Sequence, residues 1–408
     1  MTGSVVPARD APVLVVGAGP VGLATALALR ARGLAATVLE SDPADRVRAG
    51  SRALFLHRDS LALLDQMSLG LGADIGRFGV VWQTRRTLFR GREVYARSYP
   101  TGKSGALPPF TSLRQVDTER FLLDACRAAG VVFHWDAEVS NVQTSAESVT
   151  VTTADGRGWT GRYLIAADGA RSAVRRSLDI HMLGSRASGH HVVVDVAEPD
   201  RAKQPTERIF HYEHPGVDGL TVLKVPFAGG FQIDLQGRDG DPPEAYGTLD
   251  AVRRWLPGVV GEGFDDRILW VSTYRFLQVV ADRFADEHRR VLLVGEAAHL
   301  FPPFGARGMN SGIADADAAA RAVFSALADP DRAIAAVDEF ADTRNTAARY
   351  NSEAAGAALA QLRPGRVVRA KQVAAAALAP VVPQCGSWLE HAPYGPRRGS
   401  LVGAGARY

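Results

Sequence analysis

Val13-Leu-Val-Val is a short β-branched run ending at Gly17, and the stretch from Val21 to Arg32 is apolar until Gly33 stops it. The first reads as a strand and the second as a helix. Thr37-Val-Leu-Glu40 supplies the next strand, and such a β-α-β start implies parallel strands joined by a right-handed crossover. Leu61, Leu64 and Leu69 mark a helix after His57. Asp117 is placed to cap a helix running to Ala129, which Gly130 ends and Val131-Val-Phe follows as a strand. Val149-Thr-Val-Thr and Tyr163-Leu-Ile flank Asp155-Gly156, a hairpin signal.

Between His190 and Tyr274 the pattern changes to alternating runs: His191-Val-Val-Val, Arg208-Ile-Phe-His-Tyr, Leu220-Thr-Val-Leu and Phe231-Gln-Ile-Asp-Leu, separated by Gly, Pro and Asp. These predict an antiparallel sheet. The α/β character returns at Val291-Leu-Leu-Val, with a Pro/Gly loop and an alanine-rich helix through about Ala328. The expected organisation is a discontinuous nucleotide-binding domain over 1–185 and 281–345, with a β-sheet substrate domain over 186–280 and part of 75–110. Closing helices broken at Pro364 and Pro380 fill 346–408, with an irregular tail from Pro393. There is no repeat at solenoid spacing.

Composition adds exclusions. With 408 residues, 46% hydrophobic and 22% charged, the chain is globular rather than disordered. The balance of 47 basic and 44 acidic residues gives a formal charge of +3, too small and scattered for a nucleic-acid footprint. Cys126 and Cys385 are the two cysteines, so neither a disulfide framework nor a four-cysteine zinc site is available, and no metal is expected. Pro12 to Leu29 carries no charge, but three glycines and Pro20 interrupt it, as a strand, turn and buried helix require. The expectation is a cytoplasmic protein without a membrane span.

Gly17-Ala-Gly19-Pro20-Val21-Gly22 follows a strand and opens a helix, so a pyrophosphate can approach the positive helix end. Glu40 lies 23 residues after Gly17, where a carboxylate can accept hydrogen bonds from a ribose. This motif alone does not choose between FAD and NAD. Two later segments choose FAD: Leu164-Ile-Ala-Ala-Asp168-Gly-Ala-Arg171-Ser172, and Gly295-Glu296 through the Pro302-Pro303-Phe-Gly305-Ala-Arg307-Gly308-Met309-Asn310-Ser-Gly312 stretch.

With these three segments in this order, nearly the whole chain resembles the class A flavoprotein aromatic monooxygenases of the para-hydroxybenzoate hydroxylase type. The resemblance implies an α/β fold: a Rossmann-like FAD-binding domain, an inserted antiparallel substrate domain and C-terminal helices, with no separate nicotinamide domain. It implies FAD as cofactor, NADPH or NADH as transient reductant, and O₂. A C4a-hydroperoxyflavin would hydroxylate a small-molecule aromatic substrate, phenolic or polycyclic. By resemblance Gly17, Gly19, Pro20, Val21, Gly22 and Glu40 hold the ADP half of FAD. Arg46-Val-Arg48-Ala-Gly50 matches an arginine segment whose second member, Arg48, lies near the pyrophosphate and the nicotinamide; Arg52 is grouped with it. Arg114 and Gln115 match a polar pair before the helix that touches the flavin side chain, and Asp168 an aspartate serving both FAD and NAD(P)H. Glu296 stands where the family has Asp on the ribityl chain, one methylene longer.

The helix beginning after Gly308, with Met309 and Asn310, offers backbone N–H groups and its positive end to the anionic reduced flavin. Gly305 and Gly308 let the loop press on the ring while Pro302 and Pro303 stiffen it. Pro303 and Gly308 are thus catalytic candidates, joined by Tyr212 and Arg275 as substrate contacts; His211, His214 and Tyr274 are weighed beside them, and His299 as a support of the loop. Gly102-Lys103-Ser104 is not a P-loop, because that motif needs glycine where Arg97 stands. A disulfide reductase would need a close cysteine pair, and a flavin halogenase a Trp-x-Trp-x-Ile segment; neither is present. Epoxidation, Baeyer–Villiger oxidation, a non-catalytic FAD-binding role and a homodimer stay open.

Overall fold

The computed structural model describes residues 12–46, 55–99, 106–186, 190–198, 206–238 and 240–395. Arg48 and Arg52 lie outside the described residues. Five parallel strands form the first sheet, in the order Val291–Leu293, Leu164–Ala166, Val13–Val16, Ala36–Leu39, Val132–His134. The first four are buried throughout, which is why they read as near-continuous apolar runs, broken only by the buried Thr37, rather than alternating ones. The helices Pro20–Arg30, Gln115–Ala128 and Arg307–Ala328 share its apolar core, through residues such as Leu27, Leu122 and Ile313.

Four local expectations change. The first helix begins at Pro20 and ends at Arg30, because proline has no N–H to lose at the first helical position. Leu69 lies beyond the helix Arg58–Met67 and is 99% exposed. Asp117 is not the cap of its helix: the N–H groups of Asp117 and Thr118 both bond the Arg114 carbonyl, placing Arg114 at the cap and Asp117 in the first turn. The turn at Asp155-Gly156 joins Val149–Thr153 to Gly158–Gly161, whereas Leu164–Ala166 enters the parallel sheet beside Val13–Val16. All three residues of that strand are buried, so it needs cover on both faces.

A seven-stranded sheet stands beside this unit, in the order Ile268–Tyr274, His191–Ala197, Gly230–Gln236, Leu220–Phe227, Glu207–His214, Thr84–Phe89, Arg92–Ser98. It is mixed rather than wholly antiparallel, since Glu207–His214 runs parallel to Thr84–Phe89. One face carries Val192, Val194, Val222, Ile233 and Leu235 and packs on the helix Leu249–Val260 through Trp255 and Leu256. Register puts His191, Asp195, Gln232 and Asp234 on the other face, with Arg208, Phe210 and Tyr212. Helices Ala333–Leu362, Arg366–Leu378 and Pro383–His391 follow, the first ending just before Pro364. Among the described residues no helix is long and apolar enough to cross a membrane, and no cluster of His, Cys, Asp and Glu could hold a metal ion.

Candidate active site

The strand Val13–Val16 ends in a turn that glycine alone can make. Gly17 has φ +99°, and a Cβ there would lie 2.5 Å from the Ala167 carbonyl oxygen. A Cβ on Gly22 would lie 1.9 Å from the Gly17 carbonyl oxygen, so helix and turn touch through bare backbone. Gly19, at the N-cap, faces open space with no atom within 4 Å of its would-be Cβ. The unbonded N–H groups of this helix start therefore look onto a groove rather than onto protein. Val21 points elsewhere: its side chain packs against Gly295 and Gly312 and ties this helix to the second turn.

Glu40 is buried at the rim, where its Oε2 accepts from the Ala18 N–H at 2.6 Å and its Oε1 from the Asp42 N–H at 3.0 Å. Burial opposes its charge, but those bonds and the Arg46 ion pair at 2.9 Å outweigh it and hold the carboxyl below its ordinary range. Asp168, in the turn after the neighbouring strand, accepts from the Val174 N–H at 3.1 Å through Oδ2, while its buried Oδ1 has no partner among the described residues. Burial raises this carboxyl, with Ser172 and backbone N–H groups opposing. Glu296, in the turn after the third strand, is exposed. These turns lie across the carboxyl ends of three adjacent strands, about 10 Å from first to last at ordinary strand spacing.

The groove continues to the start of the helix Arg307–Ala328, where Gly308 is exposed and nothing lies within 4 Å of its would-be Cβ. Met309 is buried, and the Asn310 side chain is taken up by protein, accepting from the His57 N–H and donating to the Phe55 and Ala306 carbonyls. Only main chain at 308–310 is left to face a ligand. Pro303 accepts the Ala306 N–H at 3.0 Å, closing the loop before the helix. Behind it Asp315, fully buried, meets His299 Nε2 and Arg344 Nε, each at 2.6 Å, and accepts the Gly295 N–H at 3.1 Å. Burial disfavours the charge, yet Arg344 and His299 outweigh it and hold the carboxyl down at about 2. Sequence reading missed Asp315 and Arg344, which lock the second turn to the helix.

The polar face of the seven-stranded sheet looks toward this loop. His191 Nδ1 lies 3.2 Å from Asp234 Oδ1, and its ring sits 4.0 Å from Phe276 and 5.8 Å from Phe304, centroid to centroid. Asp195 accepts from Gln232 Nε2 at 2.8 Å, and its other oxygen is buried without a partner among the described residues. Burial pushes the Asp195 carboxyl up to about 6, against Gln232 and Arg114. Arg114 stands 5.7 Å over the Phe227 ring and bonds Asp117, and Gln115 bonds Glu119.

The substrate contacts expected from sequence fall largely outside this wall. Tyr212 donates to the Leu389 carbonyl at 2.8 Å, tying the sheet to the helix Pro383–His391. His211 lies on the opposite sheet face beside Val222, accepting the Gly91 N–H at 2.8 Å, and His214 Nδ1 accepts the Gly216 N–H at 3.0 Å. Arg275 is exposed, because it sits in the short link between two strands, while Tyr274 does reach the wall, 6.2 Å from His191. The missed residues His191, Asp195, Gln232 and Asp234 carried only one signal, polar residues at alternate positions of otherwise apolar strands.

A groove with open glycine faces at Gly19 and Gly308, along the carboxyl ends of adjacent parallel strands, suits an extended ligand with a pyrophosphate, and this marks a dinucleotide-binding protein. A family model described as FAD binding domain matches residues 10–351, and the chain belongs to that family, the class A aromatic flavin hydroxylases, with FAD as cofactor. It is 28% identical over 320 residues to a flavin-dependent monooxygenase of Mycobacteroides abscessus, covering 74% of this chain and 65% of the relative. It is 31% identical over 325 residues to the 6-methylpretetramide 4-monooxygenase of Streptomyces rimosus, covering 76% and 55%. The chain thus spans under two thirds of the length of these relatives. The crystal structure of p-nitrophenol 4-monooxygenase from Pseudomonas putida shares the fold, with a TM-score of 0.75 at 24% identity over 95% of this chain and 99% of that one.

Proposed function

We propose that the chain is a monooxygenase that uses FAD, NADPH or NADH, and O₂ to hydroxylate a phenolic or polycyclic aromatic compound. The wall opposite the groove carries this reading: a buried row of His191, Asp195 and Gln232, with Tyr274, Phe276 and Phe304 grouped around His191, the last on the loop leading to Gly308. Aromatic rings suit a flat apolar substrate, and buried acceptors suit its hydroxyl groups. The similar structure is named for p-nitrophenol, a phenol, which supports the class.

Bound FAD supplies the electron transfer from nicotinamide and the activation of O₂. The chain's own residues would position and shield it. Main-chain groups at Gly17, Gly19, Pro20, Val21 and Gly22 would face the pyrophosphate, and Glu40 the ribose. Arg114, Gln115, Asp168 and Glu296 would line the middle, and the helix start at Gly308, Met309 and Asn310 would offer N–H groups to negative charge on the ring, with Pro303 stiffening the loop. The buried wall excludes water from the reacting face. Two cysteines without a disulfide support a cytoplasmic location.

The test is NADPH and NADH consumption by the FAD-loaded protein with a panel of phenols and fused-ring phenols, followed by product mass. Faster consumption with a product heavier by one oxygen atom is expected. Full FAD occupancy with no compound accelerating consumption would refute it.

A further inference from the structure

His191 is 1% exposed, on the strand His191–Ala197, with Asp234 on its Nδ1 side at 3.2 Å and no partner for the buried Nε2 among the described residues. A buried imidazole nitrogen without a hydrogen bond is costly and calls for a reason. The ring lies among Tyr274, Phe276 and Phe304, and Phe304 is only partly buried on the flavin loop between Pro303 and Gly305. A base held by a carboxylate on one nitrogen and vacant on the other is the arrangement that general-base catalysis needs.

We propose that His191 Nε2 takes the proton of a phenolic substrate admitted beside Phe304, with Asp234 as the positioning residue that orients the ring. The phenol O–H bond breaks, an Nε2–H bond forms, the imidazolium rests against the Asp234 carboxylate, and the phenolate ring is left richer in electrons for oxygen transfer. No electrons change hands in this step. The groups facing His191 fit the role. Burial, the largest effect, lowers its proton affinity, Asp234 raises it, and Arg363 at the end of the helix Ala333–Leu362 lowers it. The adjacent His190 is lowered in the same direction, chiefly by burial and then by His191 itself. The net effect is a lowered proton affinity, so the imidazole is neutral at neutral pH and Nε2 meets the substrate unprotonated, with the Asp234 carboxylate there to offset the charge it gains.

The inference rests on the phenolic reading above, and its test separates the two. The FAD-loaded protein is titrated with 4-nitrophenol, whose ionised form is coloured, below the probe's own pKa, and the ionised fraction of bound probe is read. Wild type should bind it with roughly tenfold more phenolate than free probe, a shift of one pH unit. His191→Gln should bind the probe yet lose that excess, and Asp234→Asn should keep part of it. With an accelerating phenol, His191→Gln should lower kcat by about a hundredfold, the ordinary scale of general-base catalysis, and flatten the acid limb of its pH profile. Excess ionisation persisting in His191→Gln overturns the base assignment alone. No binding of 4-nitrophenol or any panel phenol by the loaded wild type overturns both readings. FAD retention by each variant confirms that it folds.

Discussion

Asp195→Asn should make the protein more stable at neutral pH. The carboxyl is 1% exposed, one oxygen holds the Gln232 amide at 2.8 Å, and the other has no partner among the described residues. Its folded value of about 6 lies above the ordinary 3.8, so ionisation is disfavoured in the native state. The cost is absent at low pH, develops between about 4 and 6, and is complete above. A difference of about two pH units corresponds to about 3 kcal/mol. Asparagine keeps the shape and the acceptor for Gln232 but carries no charge. The substitution should therefore add up to about 3 kcal/mol near pH 7.5, raising Tm by about 3 °C for a chain of this size, and almost nothing near pH 4. Differential scanning calorimetry across that range reads the difference. An unchanged or lowered Tm near pH 7.5, or a gain equal at both pH values, would refute the reasoning. Substrate binding should weaken in the same variant, since a polar group kept at such a cost belongs to the wall of the site.

Gly19→Ala and Gly22→Ala should separate binding from folding: the first places a methyl in the open groove and weakens FAD affinity with Tm unchanged, while the second drives a Cβ into the Gly17 carbonyl and lowers Tm of the FAD-free protein. Arg344→Met takes from the fully buried Asp315 its arginine partner, 2.6 Å away, leaving His299 alone against the charge, and should cost about 3–5 kcal/mol in urea unfolding. His211, lowered to about 4 chiefly by burial, stabilises the fold as the neutral acceptor of the Gly91 N–H. That stabilisation is complete above pH 6.5 and lost as pH falls toward about 4, so His211→Gln should flatten this part of the stability curve.

What the sequence determined by itself is local. The turn at Gly17, Gly19 and Gly22 is legible because each glycine answers a short-range demand: a positive φ, a close backbone approach, or a face left open to ligand. Four of the five strands of the parallel sheet announce themselves because burial on both sides leaves little room for polar positions, Thr37 being the one exception. The tertiary structure decided which polar side chains meet. His191 finds Asp234, 43 residues on, and Asp195 finds Gln232, 37 residues on, through a register that a one-residue slip would turn to the opposite face. Tyr212 looked available as a substrate contact, and its hydroxyl was claimed by the Leu389 carbonyl 177 residues away. Short-range periodicity fixes which residues are buried, but the partner of a buried polar group is chosen by packing between distant segments, and no local pattern encodes that.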